Sequence, residues 1–189
     1  MLEERGAIIV DADVIAREVV DQGEPAYAAV VERFGQGVVA PDGSLDRTAL
    51  ANIVFNDDEA RVALNGIIHP AVGVRMAEVM QEHTDTADVV VLDVPLLVES
   101  RRPGIAGIIV VDCPEDIAVR RLVDQRGFDE QDARSRIAAQ ASRDERKAVA
   151  DFLIDNSGSL DDLVPQVDDA WKWIQSFVTA GTAGDRLDG

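Results

Sequence analysis

Four short apolar runs, each closed by an aspartate, constrain the fold of this 189-residue chain more than any other feature. They are continuous rather than alternating and rich in β-branched residues, which is typical of strands buried on both faces of a parallel sheet. Helical patterns lie between them, so the sequence predicts an α/β fold. The runs occupy residues 7–11, 89–93, 108–112 and 152–155.

The four closing aspartates indicate where a site would form. In an open α/β sheet the ligand crevice lies outside the carboxyl ends of the strands. Aspartates at such ends suit a metal ion or polar chemistry, whereas each one could equally cap the helix that follows it. Both interpretations remain open for Asp11, Asp93, Asp112 and Asp155.

The segments between the strands predict helices and one inserted lobe. Residues 24–80 contain no strand pattern, which indicates a helical lobe inserted into the sheet. Pro70 is predicted to begin a new helix, because the residue before a proline is pushed away from helical geometry. We expect one domain over 1–178, with a disordered tail over 179–189. The predicted helices cover 13–20, 24–34, 46–55, 57 to Pro70, Pro70 to about 80, 114–125, 129–140, 143–150 and 160–177.

Composition excludes several classes of protein. The formal net charge of −18 argues against duplex nucleic acid or an anionic membrane as the main partner. No apolar run approaches the roughly 20 residues that span a bilayer, and the start lacks a secretory signal pattern. The single cysteine, Cys113, excludes an internal disulfide and a cysteine-based zinc site, and is predicted to be a small buried residue. A cytoplasmic location is therefore expected.

One segment departs from the acidic balance. Residues 120–147 carry eight basic and six acidic residues, although the chain as a whole has 18 basic and 36 acidic ones. A locally basic segment in an acidic protein suggests contact with an anion. The alternative is a solvent-exposed helix whose basic and acidic side chains form salt bridges with one another.

Six motifs follow one another along the chain: VDADVIAREVV at 10–20, LNGIIHP at 64–70, DVPLLVE at 93–99, RRLVDQRG at 120–127, RIAAQA at 136–141 and the segment 150–158. In this order and spacing they resemble the dephospho-CoA kinase family of P-loop kinases. The resemblance covers residues 2 to about 175. It implies a three-layer α/β/α parallel sheet with an inserted helical substrate lobe over 24–80 and a lid over 120–147. It also implies transfer of phosphate from ATP, with Mg²⁺, to the ribose 3′-hydroxyl of dephospho-CoA.

The family's first strand and its glycine-rich phosphate loop have no counterpart in this sequence. That loop's backbone N–H groups and lysine hold the β- and γ-phosphates. We therefore expect the chain as given to bind ATP poorly and to lack the central strand of a five-stranded sheet. A misplaced start site and a true remnant are the two explanations.

The resemblance also implies roles for individual residues. Asp13 is the expected general base, with an N-cap as its alternative. Arg121 is expected to stabilise charge on the transferred phosphoryl group, and Asp93 to hold Mg²⁺ through water. The other expected acceptor-binding residues are Asp11, Arg17, His69, Leu96, Leu97 and Glu99, with pairing to Asp13 as the alternative for Arg17. The expected ATP-binding residues are Arg121, Arg126, Arg136, Asn156 and Gly158.

Two alternatives to this function remain open. The chain could be a non-catalytic remnant that binds coenzyme A precursors or a protein partner. It could also be a kinase of the nucleoside monophosphate type, although the LNGIIHP and DVPLLVE motifs speak against that. The expected partners are the small molecules dephospho-CoA and ATP.

Overall fold

The computed structural model describes residues 1–95 and 104–180, which form two compact units. The first unit spans Ile8–Val94, and the second joins Met1–Ala7 to the described part of Pro95–Gly189. Each unit holds one pair of parallel strands, so the predicted α/β fold is confirmed. No helix in the described part of the chain is both long enough and apolar enough to cross a membrane.

The strands lie where the apolar runs predict them. In the first unit β1 (Ile8–Asp11) pairs with β2 (Val90–Asp93), which sets Asp11 opposite Asp93. In the second unit β3 (Ile109–Asp112) pairs with β4 (Phe152–Asp155), which sets Asp112 opposite Asp155. No strand among residues 1–95 and 104–180 joins the two pairs into one sheet.

The helices also follow the sequence pattern closely, apart from Pro70. In the first unit they are α1 (Ala12–Glu18), α2 (Pro25–Phe34), α3 (Arg47–Asn56) and α4 (Asp58–Glu82), with a short 3-10 helix at Gln36–Val38. In the second unit they are α5 (Glu115–Arg126), α6 (Glu130–Ala138), α7 (Arg143–Ala148) and α8 (Leu160–Ala180), with a 3-10 helix at Glu3–Arg5. Of the predicted tail, residues 181–189 lie outside the described residues.

The prediction that Pro70 begins a new helix is wrong, because α4 runs through it without a break. A proline inside a helix removes one backbone hydrogen bond and crowds the preceding turn. Apolar side chains on both sides of Pro70 contribute to one core. Ile67 and Ile68 pack against this core before the proline, and Val72 and Met76 are buried in it afterwards. Burial of both halves along one axis outweighs the local cost.

The core of the first unit forms around α4, which contacts α1, α2 and α3. Val30, Val38 and Met76 are almost completely buried there, and Val10 of β1 packs with them. Within residues 24–80 the described strand pairing is a single isolated antiparallel bridge between Val39 and Leu45. Helices α2, α3 and most of α4 therefore account for most of residues 24–80.

The core of the second unit lies between the β3–β4 pair and α8. Ile154, Leu163, Val167 and Ala170 are buried in this core, and Leu2 packs against it from the amino-terminal segment. Arg5 also ties that segment to α8, because its Nε donates a 2.9 Å hydrogen bond to Asp168.

The prediction that all four strands are buried on both faces is wrong. Ile9 of β1 is 37% exposed, and Val111 and Leu153 of the second pair are 57% and 42% exposed. The continuous apolar pattern predicts strands correctly. It does not reveal that one apolar side chain in each of β1, β3 and β4 is exposed to solvent.

Candidate active site

The carboxyl end of the β1–β2 pair carries three aspartates. Asp11 closes β1 and caps α1, since its Oδ1 accepts hydrogen bonds from the backbone N–H groups of Asp13 (2.8 Å) and Val14 (3.0 Å). A cap of this kind satisfies donors that have no partner within the helix. The alternative that Asp13 is the cap is therefore wrong, because Asp11 fills that position.

Asp13 is the second residue of α1, within its first turn, and its carboxylate is free. The residue is exposed, and its side chain makes no hydrogen bond or ion pair with any described residue. The alternative pairing of Asp13 with Arg17 is likewise not formed, and the exposed Arg17 has no partner in the described part of the chain. A carboxylate in this position is available to a ligand.

Asp93 faces Asp11 across the strand pair, and its environment disfavours the ionised form. Partial desolvation, and then the negative charges of Asp11 and Asp13, raise the pKa of Asp93 above its usual value. A divalent cation would relieve this repulsion, and carboxylate oxygens are ligands that Mg²⁺ accepts. Among the described residues no three such side chains converge closely enough to hold a metal directly. The arrangement fits a cation bound through water.

Of the remaining residues expected to bind the acceptor, only one, His69, lies within the described residues. His69 lies on α4, where it is exposed and has no partner within residues 1–95 and 104–180. Leu96, Leu97 and Glu99 fall outside the described residues.

In the second unit, Arg121 binds the loop between β4 and α8. Its Nη1 donates to the backbone oxygen of Asn156 (2.7 Å) and to Asn156 Oδ1 (2.9 Å). Its Nη2 donates to the backbone oxygen of Gly158 at 2.8 Å. Three residues predicted to share a nucleotide site are thus in direct contact. Arg121 also lies 4.0 Å from the sulfur of Cys113, which is half-buried rather than buried as predicted.

A second arginine in this unit escaped the sequence analysis. Arg143, at the first position of α7, donates from Nε to Asp112 Oδ1 (2.7 Å) and from Nη2 to Asp112 Oδ2 (2.6 Å). These bonds hold the pKa of Asp112 below its usual value although the residue is buried. One signal was present in the sequence. Ser142 and Glu145 form a capping box, which marks the start of a helix at Arg143.

Three other arginines of residues 120–147 bear on whether this basic segment meets an anion or forms salt bridges within its own helices. Arg134 pairs with Glu130 on the same helix, as the salt-bridge interpretation predicts. Arg136 lies over the ring of Phe128, 4.8 Å from its centre. Arg126, at the end of α5, is exposed and has no partner in the described part of the chain.

Comparison with known proteins relates this arrangement to one family. The family model described as dephospho-CoA kinase matches residues 1–162. A dephospho-CoA kinase of Mycolicibacterium paratuberculosis is 53% identical over 168 residues, which are 88% of this chain and 41% of that protein. One from Streptomyces avermitilis is 50% identical over 176 residues, which are 90% of this chain and 83% of that protein. The chain therefore spans about two fifths of the mycobacterial relatives it matches.

Two solved structures share the fold. A crystal structure from Thermus thermophilus has a TM-score of 0.71 and 30% identity, and the match covers 97% of this chain and 88% of that one. A dephospho-CoA kinase from Campylobacter jejuni has a TM-score of 0.68 at 24% identity, covering 95% and 89%, and supports the fold alone. The extent of the family match, together with the relatives at about half identity, means that this chain belongs to the dephospho-CoA kinase family.

Proposed function

We propose that this protein transfers a phosphoryl group from ATP to the ribose 3′-hydroxyl of dephospho-CoA, which gives coenzyme A. The observation that carries the proposal is the free, exposed carboxylate of Asp13 just beyond the carboxyl end of β1. Dephospho-CoA kinase relatives at about half identity support the choice of acceptor and reaction. A cytoplasmic location remains a prediction.

Asp13 acts as the general base in this proposal. Phosphoryl transfer needs little covalent chemistry from the protein, so catalysis rests on positioning and on neutralising charge. A carboxylate that accepts a hydrogen bond from the acceptor hydroxyl orients it and takes its proton. Asp11 supports this geometry by fixing the first turn of α1, which carries Asp13.

The donor is held by the second unit. Arg121 stabilises charge on the transferred group, because a planar guanidinium bridges phosphate oxygens. Its bonds to Asn156 and Gly158 order the loop beside which the adenine packs. Arg126 and Arg136 are supplied by the lid. In this proposal Asp93 would hold Mg²⁺ through water, and the ion would supply neutralisation of charge on phosphate oxygens.

The acceptor contacts remain predictions. Arg17 is free to meet the acceptor nucleotide, because it is exposed and lacks a partner among the described residues. His69 belongs to the helical lobe that, in this proposal, receives the pantetheine-bearing part of dephospho-CoA. Leu96, Leu97 and Glu99 complete the acceptor site in this proposal.

The test is an assay with three acceptors. The protein, and any longer form encoded in the same reading frame, is incubated with ATP, Mg²⁺ and either dephospho-CoA, AMP or CMP. We expect mass spectrometry to show one phosphate added to dephospho-CoA alone. A 3′-phosphate removes the ribose diol, so the product should resist periodate cleavage.

Two results would contradict the proposal. Phosphorylation of AMP or CMP in preference to dephospho-CoA would favour a nucleoside monophosphate kinase. Binding of dephospho-CoA without turnover in every form of the protein would favour the non-catalytic remnant.

A further inference from the structure

Asp112 is the one polar or charged residue classed as buried in the described part of the chain, with 6% of its surface exposed. Burying a carboxylate is costly unless it is paired and hydrogen-bonded. Arg143 meets this need with two parallel bonds of 2.7 and 2.6 Å, the bidentate geometry that holds a guanidinium most firmly. The position of Arg143 is therefore set by a group that cannot itself move into solvent.

The rest of the Arg143 guanidinium is free to bind. The group has five N–H donors, and the bonds to Asp112 use one on Nε and one on Nη2. The side chain of Arg143 is 44% exposed, so its other edge meets solvent. Arg121 differs, because its Nη1 and Nη2 already donate to the β4–α8 loop.

Charged groups of both signs surround the pair. Arg146 and Lys147 add positive charge near Asp112, whereas Asp144 and Asp155 are the acidic groups that also act on Arg143. The backbone N–H of Asn156 donates to the backbone oxygen of Asp112 at 2.7 Å. This bond joins the pair to the loop that Arg121 holds.

We propose that Asp112 is a positioning residue, which holds one edge of the Arg143 guanidinium so that the other edge binds a polyphosphate. The polyphosphate is the phosphate chain of the donor, so this inference rests on the proposed function. A long side chain loses rotamer freedom when it binds a ligand, and Asp112 removes that freedom beforehand.

Positioning and simple charge make opposite predictions. Asp112 is negative, so Coulomb's law alone predicts that neutralising it strengthens anion binding. If Asp112 acts by holding Arg143, the same change weakens binding although the site becomes more positive. The sign of the change in affinity therefore separates the two effects.

The experiment titrates the full chain with inorganic triphosphate by calorimetry. We expect the unaltered protein to bind triphosphate weakly but measurably, since the family's phosphate loop has no counterpart in this sequence. Asp112→Asn should bind roughly fivefold more weakly than that, as expected for freeing one rotamer-rich side chain. Asp155→Asn is the matched control, since it removes the same charge from the neighbouring strand end and leaves the two hydrogen bonds between Arg143 and Asp112 in place. This variant should bind triphosphate as tightly as the unaltered protein or more tightly.

Arg143→Lys provides a second variant that is expected to fold, because this side chain is nearly half exposed. Lysine keeps the charge but cannot form the two parallel hydrogen bonds to Asp112, so a similar loss of affinity for triphosphate is expected. The double variant should lose no more than either single one, because both changes remove the same interaction. Additive losses would indicate that Asp112 acts on the fold rather than through Arg143.

Two other results would overturn the inference: no triphosphate binding by the unaltered protein, or equal or tighter binding by Asp112→Asn. The phosphotransfer assay on the same samples separates this outcome from failure of the proposed function. Asp112-dependent binding without turnover contradicts only the function. Turnover together with Asp112-independent binding contradicts only the inference.

Discussion

The carboxyl ends of the two strand pairs are alike in sequence and opposite in electrostatics. Asp93 ends β2 among other acids, and partial desolvation, followed by the charges of Asp11 and Asp13, raises its pKa. Asp112 ends β3 opposite an arginine, and Arg143 lowers its pKa. Each pair sets one aspartate directly opposite another, Asp11 with Asp93 and Asp112 with Asp155.

The difference comes from the helices that follow the strands. In the first unit, α1 begins directly after β1 and brings Asp13 to the same end as Asp11. In the second unit, α7 brings Arg143 to β3 from 31 residues further along the chain. One end therefore suits a cation or a proton acceptor, and the other suits an anion.

The largest expected effect concerns Asp13. Replacing it by asparagine removes the base but no hydrogen bond of the described structure. We expect turnover of dephospho-CoA to fall by about 100-fold or more, the usual contribution of a general base. Thermal unfolding should change little. Asp21→Asn, an exposed acid in the same unit, is the control and should alter neither property. Loss of stability with unchanged kcat would show that Asp13 has a structural role.

The next effect concerns Arg121 in the second unit. Arg121→Ala removes three hydrogen bonds to the β4–α8 loop, so we expect a loss of about 2–3 kcal/mol in the free energy of unfolding. Trp171 and Trp173 both lie on α8, so tryptophan fluorescence during urea unfolding reports on this unit. Arg126→Ala on the same helix should stay within about 0.5 kcal/mol. Equal effects of the two variants would contradict the loop-holding role.

A smaller loss is expected at the cap of α1. Asp11→Ala removes the acceptor for two backbone N–H groups and should cost about 1 kcal/mol. Hydrogen exchange of residues 12–18 measures the effect locally. Asp13→Ala provides the comparison, because its side chain caps nothing and exchange should stay nearly unchanged. Faster exchange in Asp13→Ala than in Asp11→Ala would reverse the assignment of these two aspartates.

The smallest effect is a dependence of stability on pH with opposite signs in the two units. The pKa of Asp93 is raised above 3.8, so its ionised form opposes folding at neutral pH. Asp93→Asn should therefore raise the melting temperature at pH 7, and this gain should disappear as the pH falls below 3.8, where both folded and unfolded states are protonated.

Asp155 is the matched strand-end acid for this measurement. Hydrogen bonds with Ser157 lower the pKa of Asp155 below 3.8. The ionised form of Asp155 therefore stabilises the folded state above pH 3.8, and this stabilisation is lost as the pH falls through the lowered pKa. Asp155→Asn should lower the melting temperature at pH 7 and have less effect in acid. The same sign for both variants would contradict the electrostatic contrast between the units.

The sequence by itself determined the strands, most helix starts and the family. These features depend on local signals: continuous β-branched runs predicted β1 to β4, and the helix predicted from residue 46 is α3, which Asp46 caps. The family motifs work in the same way, because they are contiguous stretches of chain. Pro70 shows the limit of local rules, since packing on both of its sides overrides its preference.

Only the tertiary structure decided what each strand-end aspartate does. Asp11 became a cap, Asp13 remained free, and Asp112 was buried against Arg143. Asp11 and Asp112 close the same kind of apolar run, so no local pattern separates these two. A carboxylate's charge state and partners depend on groups within a few ångströms in space, and the fold draws those groups from distant parts of the chain.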